Sequence, residues 1–113
     1  MRFLRENGYK VLYRNFRAPG GGEVDIVCRD RAAATLVFIE VKTRSTDQFG
    51  APAEAVTADK QRLIARGALA WLRLLDNPAI LFRFDIVEVV FAGDVPVPSI
   101  IRNAFQLPEP YIY

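Results

Sequence analysis

The sequence predicts a domain of the α/β class, and three observations carry that expectation. Stretches rich in aromatic and β-branched residues recur at Tyr9 to Phe16, Glu23 to Arg29 and Thr35 to Thr43, with turn residues between them. A single amphipathic stripe of helical spacing follows Thr57, and a further Phe-, Ile- and Val-rich stretch runs from Leu81 to Ala92. At 113 residues, 51% of them apolar, the chain is expected to form one domain over 1–113 and to remove roughly two-thirds of its unfolded surface from water.

Each element has a local reason. The opening FLRENGYK reads as the last turn of a helix closed by Asn7-Gly8, because Gly tolerates the left-handed conformation that ends helices. That helix is expected to start before Met1. Pro19-Gly20-Gly21-Gly22 forces a turn after the first strand, and Asp30-Arg31 makes a short connection between the second and third, so these three strands read as an antiparallel meander. From Arg44 to Val56 the chain is polar and punctuated by Gly50 and Pro52, which predicts a loop free to move. Thr57 offers an N-cap; Ile64, Ala68, Trp71, Leu72 and Leu75 form one apolar stripe, which marks Trp71 as core; Asn77-Pro78 stops the helix. Gly93, Pro96 and Pro98 are expected to break the last long strand before a short segment around Ile100 to Phe105, and residues 107–113 read as a tail.

Composition excludes more chemistry than it admits. With no histidine and one cysteine, Cys28, the chain can form no internal disulfide, lacks the ligands of Cys/His zinc sites and has no imidazole base. Carboxylates, Lys, Ser and Tyr remain, and with them a hard, oxygen-ligated ion. Charged residues cut every apolar run well short of the roughly 18 residues a membrane span needs, so no membrane insertion is expected. No export signal follows Met1, and a reducing cytoplasm is the expected compartment. The net charge of +2 is too small to demand a polyanion, yet Arg2, Arg5, Lys10, Arg14 and Arg17 cluster in one segment and Lys60, Arg62, Arg66 and Arg73 in another. Arg62, Arg66 and Arg73 read either as a phosphate stripe or as solvent-facing charge.

The third strand carries the functional argument. Side chains alternate faces along a strand, so Leu36, Phe38, Glu40 and Lys42 share one face while Val37, Ile39 and Val41 share the other. Two charges therefore extend a row that begins as core. Desolvating either one alone costs several kcal/mol, so charge in such a row is paired, metal-bound or at the open end of the sheet. Antiparallel pairing brings Asp25 of the second strand beside Glu40 and Lys42. Two carboxylates held that close repel unless a cation neutralises them, and a divalent ion does so while activating water. An isolated E-x-K reads as a rim ion pair with Asp25 in an ordinary turn; the acid-bearing strand, the hairpin-length connection and the position at the end of an apolar row together favour a metal site. Lys60 continues the core-facing stripe of the helix and points toward the same place. Asp85 reads equally as a structural acceptor or a site residue, and Gly20 to Gly22 read as turn glycines, since no Gly-Lys-Ser or Gly-Lys-Thr follows and a strand comes next.

The succession GYKVLYRNFR, GGEVDIVCRD, LVFIEVKTR, FGAPAEAVTADKQRLI, RFDIVEV and NAF resembles the YraN family, within the PD-(D/E)xK restriction-endonuclease-like superfamily, over all but residues 107–113. The resemblance implies a restriction-endonuclease-like three-layer core with a mixed central β-sheet flanked by helices, as in Holliday-junction resolvases. It implies Asp25 as the first metal-binding acid, Glu40 as the second and Lys42 as the closing catalytic lysine. Glu23, Lys60 and Gln61 fall at accessory positions. Members of that family carry a further Glu on the first helix, and that position falls before Met1; Glu6 is too close to Gly8 to replace it.

The expectation that follows is a Mg²⁺- or Mn²⁺-dependent endonuclease hydrolysing DNA phosphodiesters, with Asp25, Glu40 and the Val41 carbonyl as metal ligands. Arg44, Lys60, Arg62 and Arg66 are expected to hold nucleic acid, DNA in preference to RNA, and a homodimer would suit a branched or two-stranded substrate. The competing readings are a non-catalytic nucleic-acid-binding module that keeps the nuclease fold, and a structural or partner-binding protein whose Asp25, Glu40 and Lys42 satisfy one another.

Overall fold

The computed structural model describes residues 2–45 and 56–113; most of the stretch expected to be a mobile loop, residues 46–55, lies outside the described residues. The elements run α1 (Arg2–Glu6), β1 (Tyr9–Arg17), β2 (Glu23–Asp30), β3 (Thr35–Ser45), α2 (Ala58–Leu74), β4 (Phe82–Ala92) and β5 (Val95–Phe105). They form an α/β fold with a five-stranded sheet in the order β1-β2-β3-β4-β5. β1, β2 and β3 are the antiparallel meander the turns predict. β3 and β4 pair in parallel, a connection that needs a crossover, and α2 supplies it. β4 and β5 are antiparallel, so the sheet is mixed.

The sheet buries both faces. Under α2, Phe16, Val24, Val27, Leu36, Phe38 and Phe84 pack with Ile64, Ala68 and Leu72 of the helix. The opposite face gathers Leu4 of α1 with Tyr9, Ile26, Cys28, Val37, Ile39 and Val87. β3 thus has apolar residues on both sides, as its uninterrupted run requires. α1 ends at Gly8, whose φ of 86° only glycine adopts without cost. Thr57 caps α2, its hydroxyl accepting the Lys60 N–H at 3.1 Å.

Two local expectations are corrected. Leu75 is the C-cap of α2 rather than part of its buried stripe, and its side chain is exposed. Pro96 and Pro98 do not break the chain: they lie within β5, which is an edge strand and so has a side where a missing N–H costs no ladder bond. In β1 the register slips between Val11 and Tyr13. The extra residue, Leu12, puts Val11 on the α1 side and turns Tyr13 toward Trp71 of α2, ring centroids 5.5 Å apart. Trp71 packs against the α2-side core with Phe16 as well, at 5.3 Å, the core role its place on the stripe predicts.

Candidate active site

Close backbone contact seats α2 on the start of β2. A Cβ on Gly67 would lie 2.8 Å from the Glu23 backbone, and a Cβ on Gly22 only 2.5 Å from the Gly67 nitrogen. Glycine at both places lets the helix press onto the strand. Gly22 therefore does more than turn the chain, and Gly67, interrupting an otherwise good helix former, is the sequence signal for that approach. The contact places Lys60, near the start of α2, over the acids of β2 and β3.

Asp25 lies one position beyond the Ile26–Ile39 pair, which sets it beside Glu40. Its Oδ2 accepts the Val41 N–H at 2.8 Å, tying the β2 carboxylate to the β3 backbone. Glu40 is 7% exposed and shares the α2 side with Phe38. Burial, then the Asp25 charge, pushes its carboxyl up to about 7, with Lys60 opposing. Its Oε2 is buried without a hydrogen-bond partner among the described residues. Lys60 Nζ donates to Glu23 Oε1 at 2.9 Å and sits 3.6 Å from Glu40 Oε1. The Glu23 contact raises Lys60, and the same contact lowers Glu23, which also pairs with Arg17 at 2.9 Å.

The sequence-predicted residues thus divide. Asp25, Glu40, the Val41 backbone, Glu23 and Lys60 converge. Lys42 follows Glu40 on the same side of β3, in register with Glu88 of β4. Arg44 donates to Glu88 Oε1 at 3.2 Å. Gln61 does not turn to the acids, because its Nε2 donates to the Val56 carbonyl at 3.2 Å and helps close the start of α2. Arg62 pairs with Asp59 one turn back, whereas Arg66 is exposed beside the Pro19–Gly21 turn.

Whether these groups suit a dication turns on the orphaned Glu40 oxygen. Glu40 lies beside Asp25 with its Oε2 buried and, among the described residues, unpartnered, while Lys60 Nζ is 3.6 Å from its other oxygen. Among the described residues no set of three or more Asp, Glu or Cys side chains is arranged around one ion position. Mg²⁺ suits a sparse set of that kind, since it commonly binds through one or two carboxylates, keeps several waters and takes further oxygens from substrate phosphates.

Asp85 resolves as a structural acceptor, on the other side of the sheet. It is fully buried and takes the Tyr9 hydroxyl at 2.7 Å, the Arg83 guanidinium at 2.9 Å and the Asn103 N–H at 2.9 Å. Arg83 also reaches Asp30 at 2.8 Å. The sequence reading missed this network, although Arg83 and Asp85 sit two residues apart on one face of a strand.

Comparison with known proteins decides the family. The model of the Uncharacterised protein family UPF0102 matches residues 1–89. A UPF0102 protein of Geobacter metallireducens is 48% identical over 108 residues, covering 93% of this chain and 84% of that protein. The chain belongs to the UPF0102 family. UPF0102 proteins of Geobacter sulfurreducens, 46% identical over 106 residues with 93% and 80% of the two chains covered, and of Nocardia farcinica, 45% identical over 105 residues with 92% and 80% covered, are further relatives. This UPF0102 chain has, among its described residues, no helix long and apolar enough to cross a membrane.

Proposed function

We propose that the chain is a metal-dependent endonuclease of the PD-(D/E)xK type that hydrolyses DNA phosphodiester bonds, branched or structured DNA included, with two copies able to serve a two-stranded substrate. The observation that carries this reading is the buried Glu40 oxygen left, among the described residues, without a partner beside Asp25. A native protein tolerates such a group where a ligand or a reaction uses it.

Asp25, Glu40 and the Val41 carbonyl are the oxygens that would hold Mg²⁺ or Mn²⁺, which when bound polarises the scissile phosphate and acidifies water. The Val41 N–H fixes the orientation of Asp25 and so keeps its remaining oxygen directed at the site. Lys42 orients the attacking water and steadies the charge that builds on the phosphate in the transition state. Lys60 anchors Glu23 and offsets part of the charge on Glu40.

The test is cleavage of branched, flapped, single-stranded and linear DNA in Mn²⁺. Asp25→Ala and Lys42→Ala are expected to lose about a hundredfold or more in rate while keeping the wild-type circular dichroism spectrum. Undiminished cutting by both variants rejects the site. The second reading, a nucleic-acid-binding module without catalysis, draws on the Lys60 ammonium already bridging Glu23 and Glu40; it is the outcome if DNA binds in a salt-sensitive manner and no product forms with either metal.

A further inference from the structure

The helix arginines that the sequence leaves undivided are separated by the fold. Arg62 is held by Asp59. Arg66 and Arg73, seven residues apart and so on one side of α2, are both exposed and line a cleft of about 300 Å³ between the helix and the Pro19–Gly21 turn, with Tyr111 of the tail as a further wall. A second cleft meets this one at Arg73 and runs to Arg17, and a third leads from Arg73 to the last residues of the chain. Among the described residues no Asp or Glu lines any of the three.

That arrangement suits an extended anion. A compact anion needs one pocket with converging donors, whereas here guanidinium groups are spaced along a continuous trough. By the rise of an α-helix, Arg66 and Arg73 stand about 9 and 20 Å along α2 from Lys60. The trough stops where Gly22 and Gly67 press the helix onto β2, and Glu23, paired with Lys60, follows directly in the chain, so a strand lying in it passes over that contact to reach the acids.

We infer that this trough binds the sugar–phosphate backbone of a nucleic-acid strand, with phosphates on Arg66 and Arg73, and delivers that strand to the Asp25–Glu40 site. The inference rests on the nuclease reading for its direction but is tested by binding alone. Fluorescein-labelled single-stranded and duplex oligonucleotides are titrated with the full chain in EDTA between about 50 and 200 mM salt, with inorganic phosphate as competitor. Arg66→Gln and Arg73→Gln are each expected to raise Kd about fivefold to tenfold at low salt and to reduce the log–log salt slope by about one. Arg31→Gln, which removes the same charge from an exposed turn elsewhere, changes Kd less than about twofold.

In the same titration the Gly20 and Gly21 amide resonances shift with oligonucleotide, and millimolar phosphate does not displace the strand. Displacement by phosphate at that level assigns the trough to a small anion and overturns the proposal. So does a loss for Arg66→Gln and Arg73→Gln no larger than for Arg31→Gln, or an unmoved turn. Cleavage that persists while these variants bind normally removes the trough and leaves the nuclease reading intact; absence of any oligonucleotide binding by the wild-type chain removes both.

Discussion

The two faces of the sheet each bury a carboxylate, and the protein treats them oppositely. On the α1 side Asp85 is surrounded by donors from Tyr9, Arg83 and the Asn103 backbone, and Arg83 is held in turn by Asp30. On the α2 side Glu40 faces another acid, Asp25, has Lys60 3.6 Å away and, among the described residues, leaves an oxygen without a partner. Burial costs both groups, but only one is compensated. A closed network buys rigidity and has no remaining capacity for a ligand; an open one has capacity and lacks charge. The contrast, more than the presence of acids, is what the proposed nuclease reading draws on at the α2 face.

The sharpest way to break the comparison is to open the closed side. Asp85→Ala removes four hydrogen bonds from three partners and leaves the Arg83 guanidinium largely desolvated, so unfolding free energy is expected to fall by about 3–4 kcal/mol, read as a lower urea midpoint. Glu40→Gln is the counterpart and should leave stability at neutral pH unchanged or higher. Equal losses in the two variants would mean that the faces do not differ.

Acidity gives a smaller effect with a definite sign. Glu40 is raised to about 7 by burial and by Asp25, while unfolded it releases its proton near the ordinary carboxylate value. Between about pH 4.5 and 7 the folded chain therefore holds the extra proton, and stability falls by about 2–3 kcal/mol as the pH rises through that window. Asp30 works in the other direction: burial pushes it up, but hydrogen bonds from Arg83 and Ala32 hold it below the usual range, so its contribution is present at neutral pH and is lost in acid. Glu40→Gln should abolish the decline between pH 4.5 and 7 and keep the acid loss. Millimolar Mg²⁺ at pH 8 should restore the wild-type chain and not the variant. Thermal unfolding at a series of pH values reads all four curves, and an unchanged slope in the variant would assign the decline elsewhere.

Much of this fold is legible in the residues because local rules agree. Thr57 at the cap, the stripe through Ile64, Ala68 and Leu72, and the two-sided apolar run of β3 each point to one structure, and the acid-bearing start of β2 then falls beside Glu40. What is not legible depends on contacts between segments far apart in the chain. The slip at Leu12 turns Tyr13 to the other face without any glycine to announce it. Pro96 and Pro98 read as breakers until β5 is known to be an edge. The Asp85 network needs Tyr9, 76 residues away, and the Arg66–Arg73 trough needs a turn and a tail that no periodicity places against α2. The acids are readable because they violate the strand's pattern; the arginines read either as a phosphate stripe or as solvent-facing charge, and only the fold puts a turn and a tail beside Arg66 and Arg73.

The smallest effect concerns how α2 is held over the open face. In an exposed helix Gly→Ala gains about 1 kcal/mol from propensity, so an ordinary site at Gly67 would be stabilised. Here the added methyl meets the Glu23 backbone at 2.8 Å, and backbone cannot swing aside as a side chain can; overpacking of this kind costs about 1–3 kcal/mol. The two terms leave a net loss of about 1 kcal/mol for Gly67→Ala, measured by urea denaturation. The displacement matters more than the energy. Moving α2 outward draws Lys60 from Glu23, so the Lys60 ammonium resonance should lose its dependence on Glu23 titration, while the Tyr9–Asp85 hydrogen bond on the opposite face stays intact. A stabilised variant with Lys60 still paired would show that the helix has room to spare, and the acids of β2 and β3 would then owe their cation to something other than the close seating of α2.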